Sequence, residues 1–126
     1  MAQEQAPSLV PTNTEPEFSQ KVAVADMGSG TFRLVIYGVT PEGDLQKIFT
    51  DKSQCALGEG VAKTGEISAA SIACVMDNLK SFQETARAHD IDTLHVFATE
   101  AVRRASNKDA FLEAVQEKHG IAVDVI

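Results

Sequence analysis

The residues best suited to chemistry lie between Asp26 and Thr31, inside the run Val22-Ala23-Val24-Ala25-Asp26-Met27-Gly28-Ser29-Gly30-Thr31-Phe32-Arg33-Leu34-Val35-Ile36-Tyr37. Gly28 and Gly30 have access to backbone angles closed to other residues and let a ligand approach the main chain. Successive N–H groups in such a turn can form an anion-binding concavity. Ser29 and Thr31 add hydroxyl donors. Asp26 stands where it could hold a divalent cation, directly or through water. Together these groups suit a phosphate with its metal. The same residues also describe an ordinary hairpin turn behind a capping aspartate, and on this run alone the two readings stand level.

A second segment carries charge of both signs: Thr99-Glu100-Ala101-Val102-Arg103-Arg104-Ala105-Ser106-Asn107. Arginine suits phosphate because its planar fork gives two parallel hydrogen bonds. Of the adjacent pair, Arg103 is the candidate ligand and Arg104 reads as a surface residue. Glu100 is the local carboxylate that could act as a base. His89, His95 and His119 are far apart on unlike elements and read as surface or core histidines, not as metal ligands.

The elements that must position these segments follow from periodicity. Met1–Gln20 holds Pro7, Pro11 and Pro16 among polar residues and reads as a disordered tail. Lys21–Met27 is a small, nearly continuous apolar run, as in a central strand buried on both faces. Phe32–Thr40 alternates, with Phe32, Leu34 and Ile36 on one side and Arg33, Val35, Tyr37 and Val39 on the other. Thr40–Asp44 is a turn, and Leu45–Leu57 a third, antiparallel strand toward an edge, with Lys47, Lys52 and Gln54 facing solvent. Gly58–Ile67 has three glycines in ten residues and reads as loop.

Ser68 caps a helix over Ala69–Ala88, with Ile72, Val75, Met76, Leu79, Phe82 and Ala86 as its core stripe. Thr93–Thr99 is a fourth strand, parallel to an earlier one behind that helix. Asn107 caps a last helix, Lys108–His119, which stops at Gly120. Ile121–Ile126 is a fifth strand. The fold class is α/β, a five-stranded mixed sheet made of an antiparallel meander and two parallel strands. Ligands gather at the C-terminal ends of parallel strands, where Asp26 and Glu100 both fall.

The whole chain narrows the function classes. Its 126 residues amount to one domain, with 44% apolar and 23% charged residues typical of a globular protein. The net charge of −7 argues against nucleic acid or an anionic membrane as a partner. No apolar run approaches the ~18 residues of a membrane span, and the N-terminus lacks the features of a signal peptide. Cys55 and Cys74 make no metal or redox spacing and read as buried free thiols, in keeping with a reducing cytoplasm.

Three motifs in order resemble the N-terminal part of the exopolyphosphatase and guanosine pentaphosphate phosphatase family: Ala25–Val35, then Leu57-Gly58-Glu59-Gly60 with Thr64-Gly65, then Ala98–Asn107. The resemblance covers Lys21 to Ile126. It implies a ribonuclease H-like lobe of the actin-like ATPase superfamily, and a hydrolase that releases terminal phosphate from inorganic polyphosphate or converts guanosine pentaphosphate to tetraphosphate. It further implies a divalent metal such as Mg²⁺ on Asp26, phosphate on Gly28, Ser29, Gly30, Thr31 and Arg103, and a homodimer. Family members carry Ser-Asn-Ser where this chain has Ser29-Gly30-Thr31, so Gly30 lacks an amide side chain. Their chains continue well past the position of Ile126, and the glutamate assigned as catalytic base lies in that continuation. No catalytic residue is therefore assigned within this chain, which reads as a lobe truncated at its C-terminus and inactive alone. The rival readings are a non-catalytic polyphosphate or alarmone-binding lobe and a lobe of a related ATPase or kinase.

Overall fold

The computed structural model describes residues 18–126. In chain order the elements are β1 (Gln20–Met27), β2 (Phe32–Val39), β3 (Leu45–Ser53), α1 (Leu57–Thr64), α2 (Ala69–Ala88), β4 (Leu94–Ala98), α3 (Glu100–Arg104), α4 (Lys108–His119) and β5 (Asp124–Val125). One mixed sheet runs β3-β2-β1-β4-β5. β1 pairs antiparallel with β2, which pairs antiparallel with β3. β4 lies parallel to β1, and β5 parallel to β4. The meander, the parallel return through α2 and the edge position of β3 are those expected from the alternation of the residues.

The core sits on one face of this sheet. Ala23, Ala25 and Met27 of β1, Phe32, Leu34 and Ile36 of β2, and Leu94, Val96 and Ala98 of β4 are buried. Against them α2 turns Val75, Met76, Leu79, Phe82 and Ala86. Phe82 packs its ring against that of Phe32, tilted at 53° with ring centroids 4.9 Å apart. Each fully buried large side chain contributes on the order of 1.5–3 kcal/mol. The expectation that β1 is buried on both faces is corrected: Val22 and Val24 are half-buried and Asp26 is exposed. This face of β1 is thus partly open.

Helix ends follow their local chemistry. Ser68 Oγ accepts the Ser71 N–H at 3.1 Å, and Gly120 closes α4 in the left-handed region at φ 68°. Asn107 precedes α4 as expected, but its side chain does not cap it. It reaches instead to the backbone of Ile67, accepting from the N–H at 2.9 Å and donating to the carbonyl at 3.0 Å. A tertiary pair of bonds has displaced the local one.

Four further expectations change. Residues 1–17 of the expected tail lie outside the described residues, but contacts with the sheet begin before Lys21: Ser19 N–H donates to the Val39 carbonyl at 2.9 Å, and the Phe18 ring covers Gly38 so closely that a Cβ there would overlap it. The third strand ends at Ser53, because Cys55 and Leu57 turn inward to the core. The fifth strand is confined to Asp124–Val125. The two cysteines are not free thiols: Cys55 and Cys74 form a disulfide, with Cα atoms 5.5 Å apart. Their spacing in sequence was uninformative because the approach is made by the fold, which brings the end of β3 over the first turns of α2.

His119 gives the fold a pH dependence. Its Nδ1 lies 3.3 Å from Gln83 Oε1, while its Nε2 is buried without a partner. Burial, and then the charge of Lys118, hold its pKa below the ordinary 6.5. The folded state therefore binds fewer protons than the unfolded one, and the stability this neutral imidazole contributes is present above about pH 6.5 and lost as the pH falls toward the lowered value. Urea denaturation between pH 7.5 and 5 is expected to show that decline, and His119→Gln to flatten it. An equal slope in the variant would remove His119 as its source.

Candidate functional site

The turn between β1 and β2 stands at the C-terminal ends of the parallel strands. Gly28 N–H donates to the Thr31 carbonyl at 3.0 Å and closes it. Two further carbonyls are held from outside: Ser29 accepts from Gly58 N–H at 2.8 Å, and Gly30 from Ala56 N–H at 3.0 Å. The N–H groups of Ser29, Gly30 and Thr31 have no protein acceptor among the described residues. With carbonyls tied back and amides left over, the turn has the polarity of an anion site.

The glycines serve space and not angle. Neither Gly28 nor Gly30 lies in the left-handed region, contrary to the reason first given for them. A Cβ on Gly28 would stand 3.3 Å from the Thr31 carbonyl, while Gly30 has nothing within 4 Å. Gly30 could therefore carry a side chain, and its bareness leaves the main chain open to an approaching group.

The segment that carries Ala56 and Gly58 is α1, where a loop was expected. Three glycines made it look irregular, but two of them are there for contact. A Cβ on Gly58 would overlap the Ser29 hydroxyl, and one on Gly60 would stand 3.0 Å from the Glu66 carbonyl. The helix is weak by composition and has no side-chain cap, with Ala56 before it in the left-handed region at φ 53°. Tertiary contacts hold it: buried Leu57, the Cys55 bridge, and the Ser106 N–H on the Gly65 carbonyl at 2.8 Å.

Gly58→Ala tests this contact. Alanine in a helix ordinarily gains about 1 kcal/mol over glycine. Here the methyl has to displace the Ser29 hydroxyl, so urea denaturation is expected to show no gain, and Gly30→Ala to be nearly neutral. A full gain at position 58 would mean that α1 does not bear on the turn.

A cavity of about 450 Å³ lies between the turn, α1 and α3, lined by Ser29, Gly58, Val61, Glu100, Ala101 and Arg104 among others. Arg104 reaches Glu100 across one helical turn at 3.2 Å, both side chains being well exposed. Arg103 points elsewhere: its guanidinium donates to the Ile126 carbonyl, beside the end of β5. The two arginines thus flank the sheet end, Arg104 on the α1 side and Arg103 on the β5 side. Residue types alone had singled out Arg103; on a five-residue helix only packing decides which neighbour faces the cavity.

Asp26 is exposed one residue before Met27, opposite Arg33 in β2 and Phe97 in β4. Among the described residues no three His, Cys, Asp or Glu side chains gather as a metal cage. A lone carboxylate beside a phosphate-type turn nonetheless fits a hard divalent cation that keeps most of its waters and shares oxygens with its ligand. Glu100, the carboxylate of the cavity, already accepts from Arg104.

Comparison with known proteins adds to this geometry. Residues 35–126 match the model of the Ppx/GppA phosphatase family. Exopolyphosphatase 1 of Mycobacterium leprae is 26% identical over 106 residues, which are 84% of this chain and 31% of that protein. Among solved structures, the Ppx/GppA family member of Aquifex aeolicus aligns with TM-score 0.78 and 33% identity over 84% of this chain and 34% of its own. An exopolyphosphatase from Cytophaga hutchinsonii aligns with TM-score 0.77 and 30% identity over 85% and 34%. The fold is of the actin-like ATPase type. The chain spans about a third of the length of the curated relatives it matches.

Proposed function

Because the chain belongs to the Ppx/GppA phosphatase family, we propose that it supplies the phosphate-binding lobe of a hydrolase acting on inorganic polyphosphate. The observation that carries this is the Gly28–Thr31 turn, where the Ser29 and Gly30 carbonyls are bonded from outside while the Ser29, Gly30 and Thr31 amides remain available. Terminal phosphate sits on the N–H groups of Ser29, Gly30 and Thr31 and on the two hydroxyls. Asp26 would hold a divalent metal such as Mg²⁺, which would offset phosphate charge. Arg103 takes the next phosphate of the chain by swinging from the Ile126 carbonyl, and guanosine pentaphosphate is a second substrate of the same chemistry. Hydrolysis needs an oriented water and a base besides this cradle. In this reading the described lobe supplies the phosphate cradle.

Calorimetric titration with tripolyphosphate, with and without Mg²⁺, tests the proposal. Saturable, Mg²⁺-dependent binding is expected. Arg103→Ala should weaken it by about tenfold, the effect of losing one charge-assisted contact of ~1.5 kcal/mol. Asp26→Asn should remove the Mg²⁺ dependence. Absence of binding to the wild-type protein, or full affinity in both variants, refutes the assignment. The proposal includes action in the cytoplasm, where a thiol pool would make the Cys55–Cys74 bridge a reversible bond.

A further inference from the structure

The disulfide lies on the segment that holds the phosphate turn. Cys55 directly precedes Ala56, whose N–H bonds Gly30, and Gly58 two residues on bonds Ser29. On the other side, Cys74 belongs to α2, which is fixed in the core by Val75, Met76 and Leu79. The bridge therefore ties the segment that bears on the turn to a helix packed in the core. Without it α1 has little of its own to stay folded: it contains Gly58 and Gly60, has no side-chain cap, and starts behind a left-handed alanine. What then remains is buried Leu57, the Ser106 N–H on the Gly65 carbonyl, and Ser71 Oγ, which donates to the Cys55 carbonyl at 2.6 Å.

The bridge is also built to open. Cys55 is buried, but Cys74 is only partly buried and lines a cavity of about 480 Å³ together with Gln54, Glu59, Lys63 and Ser68. Both sulfurs have polar donors beside them. Asn78 Nδ2 stands 3.9 Å from Cys55 Sγ and 3.6 Å from Cys74 Sγ, and Ser53 Oγ is 3.7 Å from Cys74 Sγ. A disulfide sulfur is a poor acceptor, whereas a thiolate is a good one, so these donors favour the thiolate that leaves as the bond opens.

We infer that Cys55–Cys74 is a reversible redox latch on α1, opened by a dithiol and controlling how firmly the Gly28–Thr31 turn is held. One thiolate of the dithiol attacks Cys74 Sγ through the cavity. The S–S bond breaks, Cys55 leaves as a thiolate that takes up a proton, and a mixed disulfide with Cys74 remains. The second thiol of the reductant resolves that bond, freeing Cys74 as a thiol and leaving the reductant as its own disulfide. Two electrons and two protons pass to the protein. The oxidised form holds α1 against the turn, and the reduced form lets it open locally. The effect on phosphate rests on the proposed function; the latch does not.

Amide hydrogen exchange on the whole chain tests the latch without any ligand. The air-oxidised protein is expected to show no titratable thiol, and two after dithiothreitol. On reduction the Ala56 and Gly58 amides should exchange at least tenfold faster, while the Leu34 and Val96 amides of the sheet stay unchanged. The Cys55→Ser/Cys74→Ser variant should reproduce the reduced pattern. If that variant does not fold, reduction of the wild type with the same readout decides. Two thiols before reductant, or equal exchange of Ala56 and Gly58 in both states, overturns the inference. Tripolyphosphate titration of both forms should show about tenfold weaker binding on reduction. Faster exchange in a protein that binds no tripolyphosphate in either state supports the latch and refutes the proposed function.

Discussion

Phe82→Ala is expected to lower the unfolding free energy by about 3–5 kcal/mol, the usual cost of deleting a buried aromatic side chain. Phe82 is fully buried on α2, and its ring meets Phe32 at 4.9 Å. The substitution loses the apolar transfer term and leaves a cavity that alanines on β1 cannot fill. The position matters for function because Phe32 follows Thr31 directly. The stack of Phe82 on Phe32 fixes the start of β2 and with it one end of the turn. Urea denaturation should show a much lower midpoint at an unchanged slope. A loss below 1 kcal/mol would mean that the core collapses onto the vacancy and that Phe32 does not depend on this contact.

Removing the bridge is the second large effect. Cys55→Ala/Cys74→Ala, compared with the oxidised protein, should cost about 3 kcal/mol, from the loop-closure entropy of the 19-residue separation. For a domain of this size that is a fall in Tm of roughly 10 °C or more. The expected signature separates global from local stability. Denaturation reports the whole loss, because the cross-link acts mainly on the unfolded chain, whereas exchange at Ala56 and Gly58 reports the freeing of α1. Equal thermal unfolding of the double variant and the oxidised wild type would show that the cross-link adds no stability.

Much of the scaffold was legible from residue order. Alternation gave both faces of β2 and β4, where Leu34, Ile36, Val96 and Ala98 are buried and Arg33 and His95 exposed. The spacing of Val75, Leu79, Phe82 and Ala86 gave α2 its inward face, and the bounds of α4 followed from Asn107 and Gly120. The phosphate-type turn was visible as residue types, and three motifs in order carried the family. Less visible were the features that depend on a second segment. α1 was taken for a loop because glycine was weighed by its local propensity. Its glycines in fact answer to Ser29 and to the Glu66 carbonyl, neither of which is a helical neighbour. Asn107 was assigned to its own helix and serves Ile67 instead.

By itself, then, the sequence determined the order and kind of the strands, the two long helices, the face each buries, and the turn with its carboxylate. These depend on the direction of each side chain relative to its near neighbours, and residue count sets that direction. Only the tertiary structure decided that Cys55 meets Cys74, that α1 folds and presses on Ser29, that Arg104 rather than Arg103 lines the cavity, and that the Ser29 and Gly30 carbonyls are taken while their amides are not. Each of these joins residues that are distant in sequence, and such contacts are set by how the helices pack across the sheet, to within an ångström that no local pattern encodes.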